Sequence, residues 1–330
     1  MKDKGFRQLS LSKTARFLRR HDNYIILTHA SPDGDTLGAA YALYYGLKEI
    51  GKIAGVLCPD VIPSKFSYFA VKTDHVKMEN ATVVAVDVAD EKLLGSLAEQ
   101  FAGKVELCID HHISNTKYAK NLLLYPGAAA ACEVMYELLE KLRVNINDVT
   151  AKALYTGIAT DTGCFRYTNT DSLTHQMAAD LLKLNIRLHH INRVNFDIKS
   201  RSRLDLEQMA LASIRYDWDG RCAIMAITKE MIEKAKASEN DLEGLASIPR
   251  QIEGVWVGIT MREVETGGFK VSIRTGPSVD ACNIAKRLGG GGHVAAAGCN
   301  LEGPLDVAMA KLLNAIRVSV PDVEKENDEE

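Results

Sequence analysis

The sequence predicts an α/β protein with an N-terminal parallel-sheet domain and a smaller C-terminal α/β domain. The first 190 residues alternate short runs rich in β-branched residues with segments whose apolar residues recur at helical spacing, a pattern typical of strands joined by crossover helices. After about residue 190 the pattern changes to a polar connector and hairpin-like strands. A length of 330 residues with 46% hydrophobic residues suffices for two domains, each with its own core.

The N-terminal elements follow from these patterns. Three short apolar runs predict buried strands at residues 24–28, 83–86 and 105–109. Helical spacing of apolar residues predicts the crossover helices, at residues 35–50, 92–102, 128–142 and 172–184.

The C-terminal part predicts strands at residues 222–227, 255–261 and 269–273, the last two joined by a hairpin turn at 265–268. Helices are expected at 279–288 and 305–318. We therefore divide the chain into a first domain at 1–190, a linker at 191–204, a second domain at 205–320, and a disordered acidic tail at 321–330.

Composition excludes several classes of protein. No apolar run approaches the roughly 18 residues of a membrane helix, and the N-terminus has no apolar signal core, so we expect no membrane partner and a cytoplasmic location. Seven dispersed cysteines without a CxxC pair indicate reduced thiols and no zinc ribbon. Residues 322–330 hold six acids and one lysine, which leaves a net charge of only +2 for the rest, so long duplex DNA is not an expected partner.

Acids and histidines follow each of the three predicted N-terminal strands directly. Because the functional crevice of an open parallel sheet lies at the carboxyl ends of its strands, these side chains are expected to converge. A fourth segment, at 156–166, adds one more aspartate. The candidates are His29, Asp33 and Asp35 after the first strand, Asp87 after the second, Asp110, His111 and His112 after the third, and Asp161.

Such a cluster predicts bound cations, because neighbouring carboxylates repel one another unless positive charge neutralises them. A single aspartate such as Asp33 would more simply cap the following helix, but the joint pattern favours ligation. Oxygen and imidazole donors without thiolate suit two divalent ions, with Mn²⁺ the expected metal and Mg²⁺, Co²⁺ or Fe²⁺ as alternatives.

Four motifs in this order resemble those of the DHH phosphoesterase superfamily. They read HASPDGDTLG at 29–38, VDVAD at 86–90, IDHH at 109–112 and GIATDTG at 157–163. The segments VSIRTG at 271–276, NIA at 283–285 and GGGGHVAAAG at 289–298 resemble the DHH-associated C-terminal domain. The likeness covers about residues 15–318 and is strongest to the nano-RNase and phosphoadenosine phosphatase subgroup, which also contains cyclic-dinucleotide phosphodiesterases.

The resemblance implies roles for the converging residues. One metal would be held by His29, Asp33 and Asp87, and the other by Asp35, Asp87, His111 and Asp161, with Asp87 as the bridge. Asp110 would orient a histidine, and His112 would face the scissile phosphate. The catalytic set expected from the resemblance is therefore His112, Asp87 and Asp110.

Substrate contacts are expected mainly in the C-terminal domain. A glycine run is commonly a flexible linker, but here it follows a predicted helix and ends in a histidine, which favours a loop that approaches a phosphate or sugar. Arginines on the hairpin strands could be solvated surface residues, and the resemblance raises them to substrate contacts. The candidates are Arg166, Arg262, Arg274, Gly290, Gly291, Gly292 and His293.

Together these features imply a hydrolase that cleaves phosphoesters by two-metal activation of water in a cleft between the domains. The resemblance implies short oligoribonucleotides, including dinucleotides, as substrates, with hydrolysis of 3′-phosphoadenosine 5′-phosphate to AMP as an accompanying activity. The alternatives are a phosphodiesterase for cyclic di-AMP or another cyclic dinucleotide and a non-catalytic nucleotide-sensing regulator. A related pyrophosphatase fits less well, because GGGGH at 289–293 is a poor match to a Lys- and Arg-rich site. Family likeness makes a homodimer plausible.

Overall fold

The computed structural model describes residues 5–265 and 267–319. It contains two compact units, Met1–Ile198 and Lys199–Glu330. Their boundary falls within the linker predicted at 191–204. The acidic tail predicted at 321–330 lies outside the described residues.

The first unit is built on a six-stranded sheet in which every pair of neighbouring strands is parallel. The strand order is β1-β6-β5-β4-β2-β3. The central strands are fully buried, which explains their continuous apolar sequences. The strands are β1 (Arg7–Gln8), β2 (Tyr24–Leu27), β3 (Ala54–Leu57), β4 (Thr82–Val86), β5 (Leu107–Asp110) and β6 (Asn121–Leu124).

Seven α-helices belong to the described part of this unit, and glycines allow α2 and α5 to pack closely against each other. A π-helical turn at Arg193–Asp197 ends the unit. The helices are α1 (Leu11–Arg20), α2 (Gly34–Glu49), α3 (Ala98–Phe101), α4 (Ala131–Lys141), α5 (Asp148–Asp161), α6 (Ser172–Leu182) and α7 (Leu188–Asn192).

The second unit has a mixed six-stranded sheet of order β11-β12-β10-β9-β8-β7, in which only β8 and β9 run parallel. Its helices are α8 (Arg201–Ala212), α9 (Lys229–Ala235), α10 (Ala281–Arg287) and α11 (Leu305–Ser319). Its strands are β7 (Arg215–Asp217), β8 (Cys222–Ile227), β9 (Val257–Glu263), β10 (Phe269–Thr275), β11 (Gly291–His293) and β12 (Ala296–Leu301).

The predicted α/β class and N-terminal parallel sheet are confirmed, two local predictions need correction, and one helix of the first unit was missed. The helix expected at 92–102 is a 3₁₀ segment, Glu91–Leu97, broken at the left-handed Gly95 and followed by the short α3. Helix α5 was not predicted. The glycine run forms part of the β11–β12 hairpin instead of an open loop. Within the described ranges, no helix combines the length and apolar character needed to cross a bilayer.

Candidate active site

The acids and histidines of the first unit lie at the carboxyl ends of neighbouring strands. His29 follows β2, Asp87 follows β4, and Asp110 ends β5. Asp33 caps α2, since its Oδ1 accepts hydrogen bonds of 3.0 Å from the amides of Asp35 and Thr36. Capping and ligation therefore coexist at Asp33, because a carboxylate oxygen has more than one lone pair.

Asp87 lies between two groups of donor atoms. Its Oδ2 is 3.6 Å from His29 Nε2, and its Oδ1 is 3.6 Å from His111 Nε2. The residue is 3% exposed, and among the described residues Oδ1 has no hydrogen-bond partner. Its backbone is held at a left-handed φ of 59°, a costly conformation for a residue with a Cβ. A buried carboxylate oxygen without a donor is expected where a cation binds.

Three groups of side chains could each hold a metal ion. The first cluster contains His29, Asp33 and Asp87, and the second contains Asp35, His111 and Asp161. The third group, Asp87, His111 and His112, shares Asp87 with the first cluster and His111 with the second. His111 Nε2 is 3.4 Å from Asp161 Oδ2 and 3.7 Å from Asp35 Oδ2, and His29 Nε2 is 3.7 Å from Asp33 Oδ1.

These separations favour coordination over direct hydrogen bonding. They exceed the length of an ordinary N–H···O hydrogen bond. Two donors that each lie about 2.1 Å from one ion, at angles of about 90–110°, are about 3.0–3.5 Å apart. The observed separations are at or slightly above that range, so the residues present fit two divalent ions that share Asp87.

Each metal-facing imidazole is oriented through its other ring nitrogen. His29 Nδ1 is 2.8 Å from the carbonyl oxygen of Ala30, and His111 Nδ1 is 3.0 Å from that of Ala128. With a proton on Nδ1, each histidine donates a hydrogen bond to its own carbonyl, and the lone pair on Nε2 stays free to bind a metal. This is the usual arrangement of histidine ligands.

Asp35 is held by the beginning of another helix. Its Oδ2 and Oδ1 accept hydrogen bonds from the amides of Ala131 (2.6 Å) and Cys132 (2.9 Å), which open α4. The first amides of α4, which have no acceptor within the helix, and the positive end of its dipole therefore help to hold a carboxylate that is 1% exposed.

Glycines allow α2 and α5 to bring Asp35 and Asp161 together. A Cβ on Gly38 would lie 2.4 Å from the carbonyl oxygen of Ala153, and one on Gly34 would lie 2.5 Å from Thr160 Oγ1. The helices meet at a distance that excludes side chains at these positions. The site thus depends on close backbone packing as well as on its ligands.

Electrostatics also indicate that cations belong here. Burial, followed by repulsion from Asp35, raises the pKa of Asp87 to about 7. The same two causes raise the pKa of Asp161 to about 9, and burial raises that of Asp35. Burial opposes protonation of His29, but its contacts with Asp33 and Asp87 prevail and raise its pKa to about 11. Bound divalent ions would replace these protons.

His112 differs from the other two histidines because a carboxylate orients it. Its Nδ1 is 2.8 Å from Oδ1 of the fully buried Asp110, and that hydrogen bond raises the pKa of His112 to about 9. Asn115 Nδ2 donates to the other oxygen of Asp110 at 2.5 Å. His112 Nδ1 also lies 3.4 Å from Asp87 Oδ1, but its bond to Asp110 makes it a poor metal ligand. Nε2 is left to meet a substrate.

Asn115 is a site residue that the sequence did not identify. Asn115 lies five residues after Asp110 in the sequence and holds its carboxylate through a hydrogen bond. An asparagine in a loop belongs to no recognisable sequence motif, so nothing in the sequence was a reason to select it. Only the folded structure shows that its side chain is buried beside Asp110.

The predicted substrate-binding residues of the second unit do not all lie together in the sheet. In the second unit, Arg274 of β10 is paired with Ala296 of β12, which is also paired with His293 of β11, so these three residues share one rung of the sheet. Directly opposed residues on antiparallel strands point to the same face. Arg262 is not on this rung, and its guanidinium forms a 2.7 Å ion pair with Glu239.

The three central glycines of the run differ in what the fold requires of them. A Cβ on Gly290 would lie 2.1 Å from the carbonyl oxygen of Gly298, and Gly292 has a φ of 148° with Ala297 2.5 Å from its Cβ position. Gly291 is open, with nothing within 4 Å. In the first unit, Arg166 follows α5, and its Nε donates to the carbonyl of Gly163 at 2.6 Å.

Comparison with known proteins identifies the family. The DHH family model for the N-terminal domain matches residues 23–158, and the DHHA1 domain model matches residues 220–318. A curated protein from Thermus thermophilus, named bifunctional oligoribonuclease and PAP phosphatase NrnA, is 35% identical over 301 residues, 88% of each chain. The chain belongs to the DHH family. Asp161 lies just beyond the residues matched by the DHH model.

Two further proteins are similar to this chain over most of its length. A Bacillus subtilis protein with the same name is 25% identical, and the alignment covers 87% of this chain and 91% of the Bacillus subtilis protein. The crystal structure of an exopolyphosphatase-related protein from Bacteroides fragilis has a TM-score of 0.83 and 25% identity, covering 93% of this chain and 95% of that one. The DHH fold is therefore shared along nearly the whole chain.

Proposed function

We propose that this protein is a metal-dependent phosphoesterase that hydrolyses short oligoribonucleotides to mononucleotides and 3′-phosphoadenosine 5′-phosphate to AMP. The observation that carries the proposal is the pair of His–carboxylate clusters that meet at Asp87, whose two oxygens face one cluster each. The name of the Thermus thermophilus relative supports the two substrates.

The ligand assignment completes the proposal. His29 and Asp33 would hold one ion, Asp35, His111 and Asp161 would hold the other, and Asp87 would contact both. When bound, two divalent ions would supply positive charge for the phosphate and lower the pKa of a water nucleophile. Mn²⁺ is the proposed metal because the donor set is oxygen and imidazole only, with Mg²⁺ and Co²⁺ as alternatives.

His112 is proposed to donate a proton to the leaving oxygen. The hydrogen bond that His112 donates to Asp110 keeps the pKa of His112 at about 9, so the imidazolium form persists at neutral pH. Asp110 occupies Nδ1, and the proton on Nε2 is then the one that can be transferred. The leaving alkoxide is thereby neutralised as the ester bond breaks.

The second unit is proposed to bind the substrate. Arg274 and His293 stand on one rung with the small Ala296 between them, which leaves room on that face for a phosphate or sugar. Gly291 could approach the ligand without a fold constraint. Roles for Arg262 and Arg166 stay predictions, as do the homodimer and the cytoplasmic location.

The test is product analysis with Mn²⁺ and four labelled substrates: an RNA dinucleotide, a longer RNA, 3′-phosphoadenosine 5′-phosphate and cyclic di-AMP. We expect fast cleavage of the dinucleotide and release of phosphate from the bisphosphate. Asp87→Asn should abolish both activities, whereas the control Asp306→Asn, at a carboxylate 89% exposed in α11, should not. A preference for cyclic di-AMP would reassign the substrate. Undiminished turnover by Asp87→Asn would contradict the metal assignment.

A further inference from the structure

The segment that follows Asp161 has an unusual and well-fixed backbone. Residues 162–170, called the α5 loop here, include three consecutive residues with left-handed φ: Gly163 at 57°, Cys164 at 60° and Phe165 at 64°. Such conformations cost about 1–3 kcal/mol for a non-glycine residue and persist where surrounding contacts enforce them. Such conformations are concentrated at functional sites, which makes the side chains of the α5 loop candidates for a functional role.

Hydrogen bonds hold the α5 loop against the metal-ligand helix. The amides of Arg166 and Tyr167 both donate to the carbonyl of Thr162, at 2.9 and 3.0 Å. Asn169 Nδ2 donates to the carbonyl of Asp161 at 3.2 Å and to that of Ala129 at 3.0 Å. The loop is therefore tied at both ends to residues beside the second cluster.

The two aromatic residues of the loop point to different environments. Phe165 is turned toward the domain, where its ring stacks on His175 with 5.2 Å between centroids and an interplanar angle of 23°. Tyr167 is 59% exposed. Its hydroxyl-bearing end rests on Gly163, where an added Cβ would lie 2.3 Å from Tyr167 Cζ. Glycine at 163 thus allows the exposed ring to adopt this position.

Within the described ranges, no hydrogen bond of its side chain explains why the Tyr167 ring is held at the surface. Its hydroxyl has no partner there, and most of its surface stays in water instead of in the core. The adjacent Arg166 uses Nε on Gly163, and its terminal nitrogens form no ion pair with the described residues. An exposed ring beside an uncommitted guanidinium is the combination that proteins use to stack a base and contact a phosphate.

We propose that Tyr167 is a stacking platform for the nucleobase of the substrate, with Arg166 contacting a phosphate of the same ligand. The proposal rests on the proposed function, because it takes the ligand of the metal clusters to be a nucleotide. It assigns base affinity to the first unit, in a loop that begins at a metal ligand, and it makes Tyr167 a binding residue with no part in the chemical step.

The experiment compares wild type with Tyr167→Ala and Tyr167→Phe on two substrates, with Mn²⁺ present. One is an RNA dinucleotide, and the other is its sugar–phosphate analogue without bases. Because stacking contributes about 1–3 kcal/mol per base, Tyr167→Ala should raise KM for the dinucleotide by roughly tenfold or more, with kcat and metal content nearly unchanged. The KM for the analogue should not change, and Tyr167→Phe should behave as wild type.

Tyr216→Ala is the matched control, since Tyr216 on β7 is also 59% exposed and has no proposed role. Calorimetric binding of a phosphorothioate dinucleotide separates this proposal from the proposed function. Binding that Tyr167→Ala weakens, without turnover by wild type, would support the platform and contradict the phosphoesterase. Turnover by wild type that Tyr167→Ala leaves unchanged, in KM and in base preference, would overturn the platform alone. Absence of both binding and turnover would overturn both.

Discussion

Gly157 of α5 lies so close to Asp35 of α2 that a Cβ at position 157 would be 2.7 Å from Asp35 Oδ1. The same Cβ would lie 2.2 Å from the sulfur of Cys132, whose amide holds that carboxylate. A single methyl group at this position would therefore displace a proposed metal ligand, Asp35, together with the residue that supports it, Cys132.

Gly157→Ala should displace Asp35 and weaken metal binding. We expect loss of about 1–3 kcal/mol of stability from overpacking and a fall in kcat of roughly a hundredfold or more. Metal stoichiometry by elemental analysis and the Tm would measure the two effects. Gly127→Ala is the control, because nothing lies within 4 Å of its Cβ position. Full metal occupancy in Gly157→Ala would contradict this account of the helix packing.

Asp87→Asn should stabilise the metal-free protein while removing its response to metal. At pH 8 the buried carboxylate of Asp87 is ionised against a pKa raised to about 7, and the neutral amide avoids that cost. The expected gain is roughly 1–4 kcal/mol in unfolding free energy without metal. Denaturation with and without Mn²⁺ would test it, since Mn²⁺ should raise the Tm of wild type only. A variant that Mn²⁺ still stabilises would show that Asp87 is not shared by the ions.

Metal binding should strengthen as pH rises and should release protons. Asp87 and Asp161 hold protons in the metal-free protein up to about pH 7 and about pH 9, and each metal must displace them. Because the unfolded chain loses these protons near pH 4, the metal-free protein should lose stability between about pH 4 and 9. Calorimetry in two buffers with different ionisation enthalpies would count the released protons. A pH-independent affinity would argue against these carboxylates as ligands.

Asp110→Asn should move the alkaline limit of activity to lower pH. Its hydrogen bond raises the pKa of His112 to about 9, and without it His112 should titrate nearer its ordinary value of about 6.5. We expect kcat to fall roughly 10- to 100-fold at pH 8 and to recover partly toward pH 6. A pH–rate profile for wild type and variant would show the shift. Parallel profiles that differ only in height would mean that His112 is not the acid.

Substitutions at the three glycines of the β11–β12 hairpin should affect stability and substrate binding separately. Gly290→Ala and Gly292→Ala should lower stability, because each Cβ would meet the backbone of β12 within about 2.6 Å, whereas Gly291→Ala should leave the Tm unchanged. If Gly291 approaches the ligand, its substitution should raise KM several-fold. Thermal melts and steady-state kinetics on the same three variants would test both expectations. An unaltered KM in Gly291→Ala would remove Gly291 from the binding surface.

The sequence identified the converging candidate ligands more completely than the helices and strands that carry them. His29, Asp87 and His111 could be placed because each follows a short apolar strand, and parallel strands align their carboxyl ends. Asp161 was found by its motif, but its helix was not, because α5 mixes threonine and glycine with apolar residues and its periodicity is weak.

Features that depend on register or close packing could not be predicted. The shared rung of Arg274, Ala296 and His293 requires the β11–β12 pairing, and four glycines carry no strand preference. The donation from Asn115 to Asp110 and the contact of Gly157 with Asp35 likewise appear only once distant segments have packed.

Every member of the two proposed metal-binding clusters lies between residues 29 and 161, whereas Arg274, Gly291 and His293 all belong to the second unit. Separate stretches of the gene would therefore encode the proposed hydrolytic centre and much of the proposed substrate recognition. Mutations that alter substrate preference could accumulate after residue 199 without disturbing a single metal ligand. A chimera that carries residues 1–198 of this chain and the corresponding second unit of a relative would inherit its chemistry from one parent and part of its selectivity from the other.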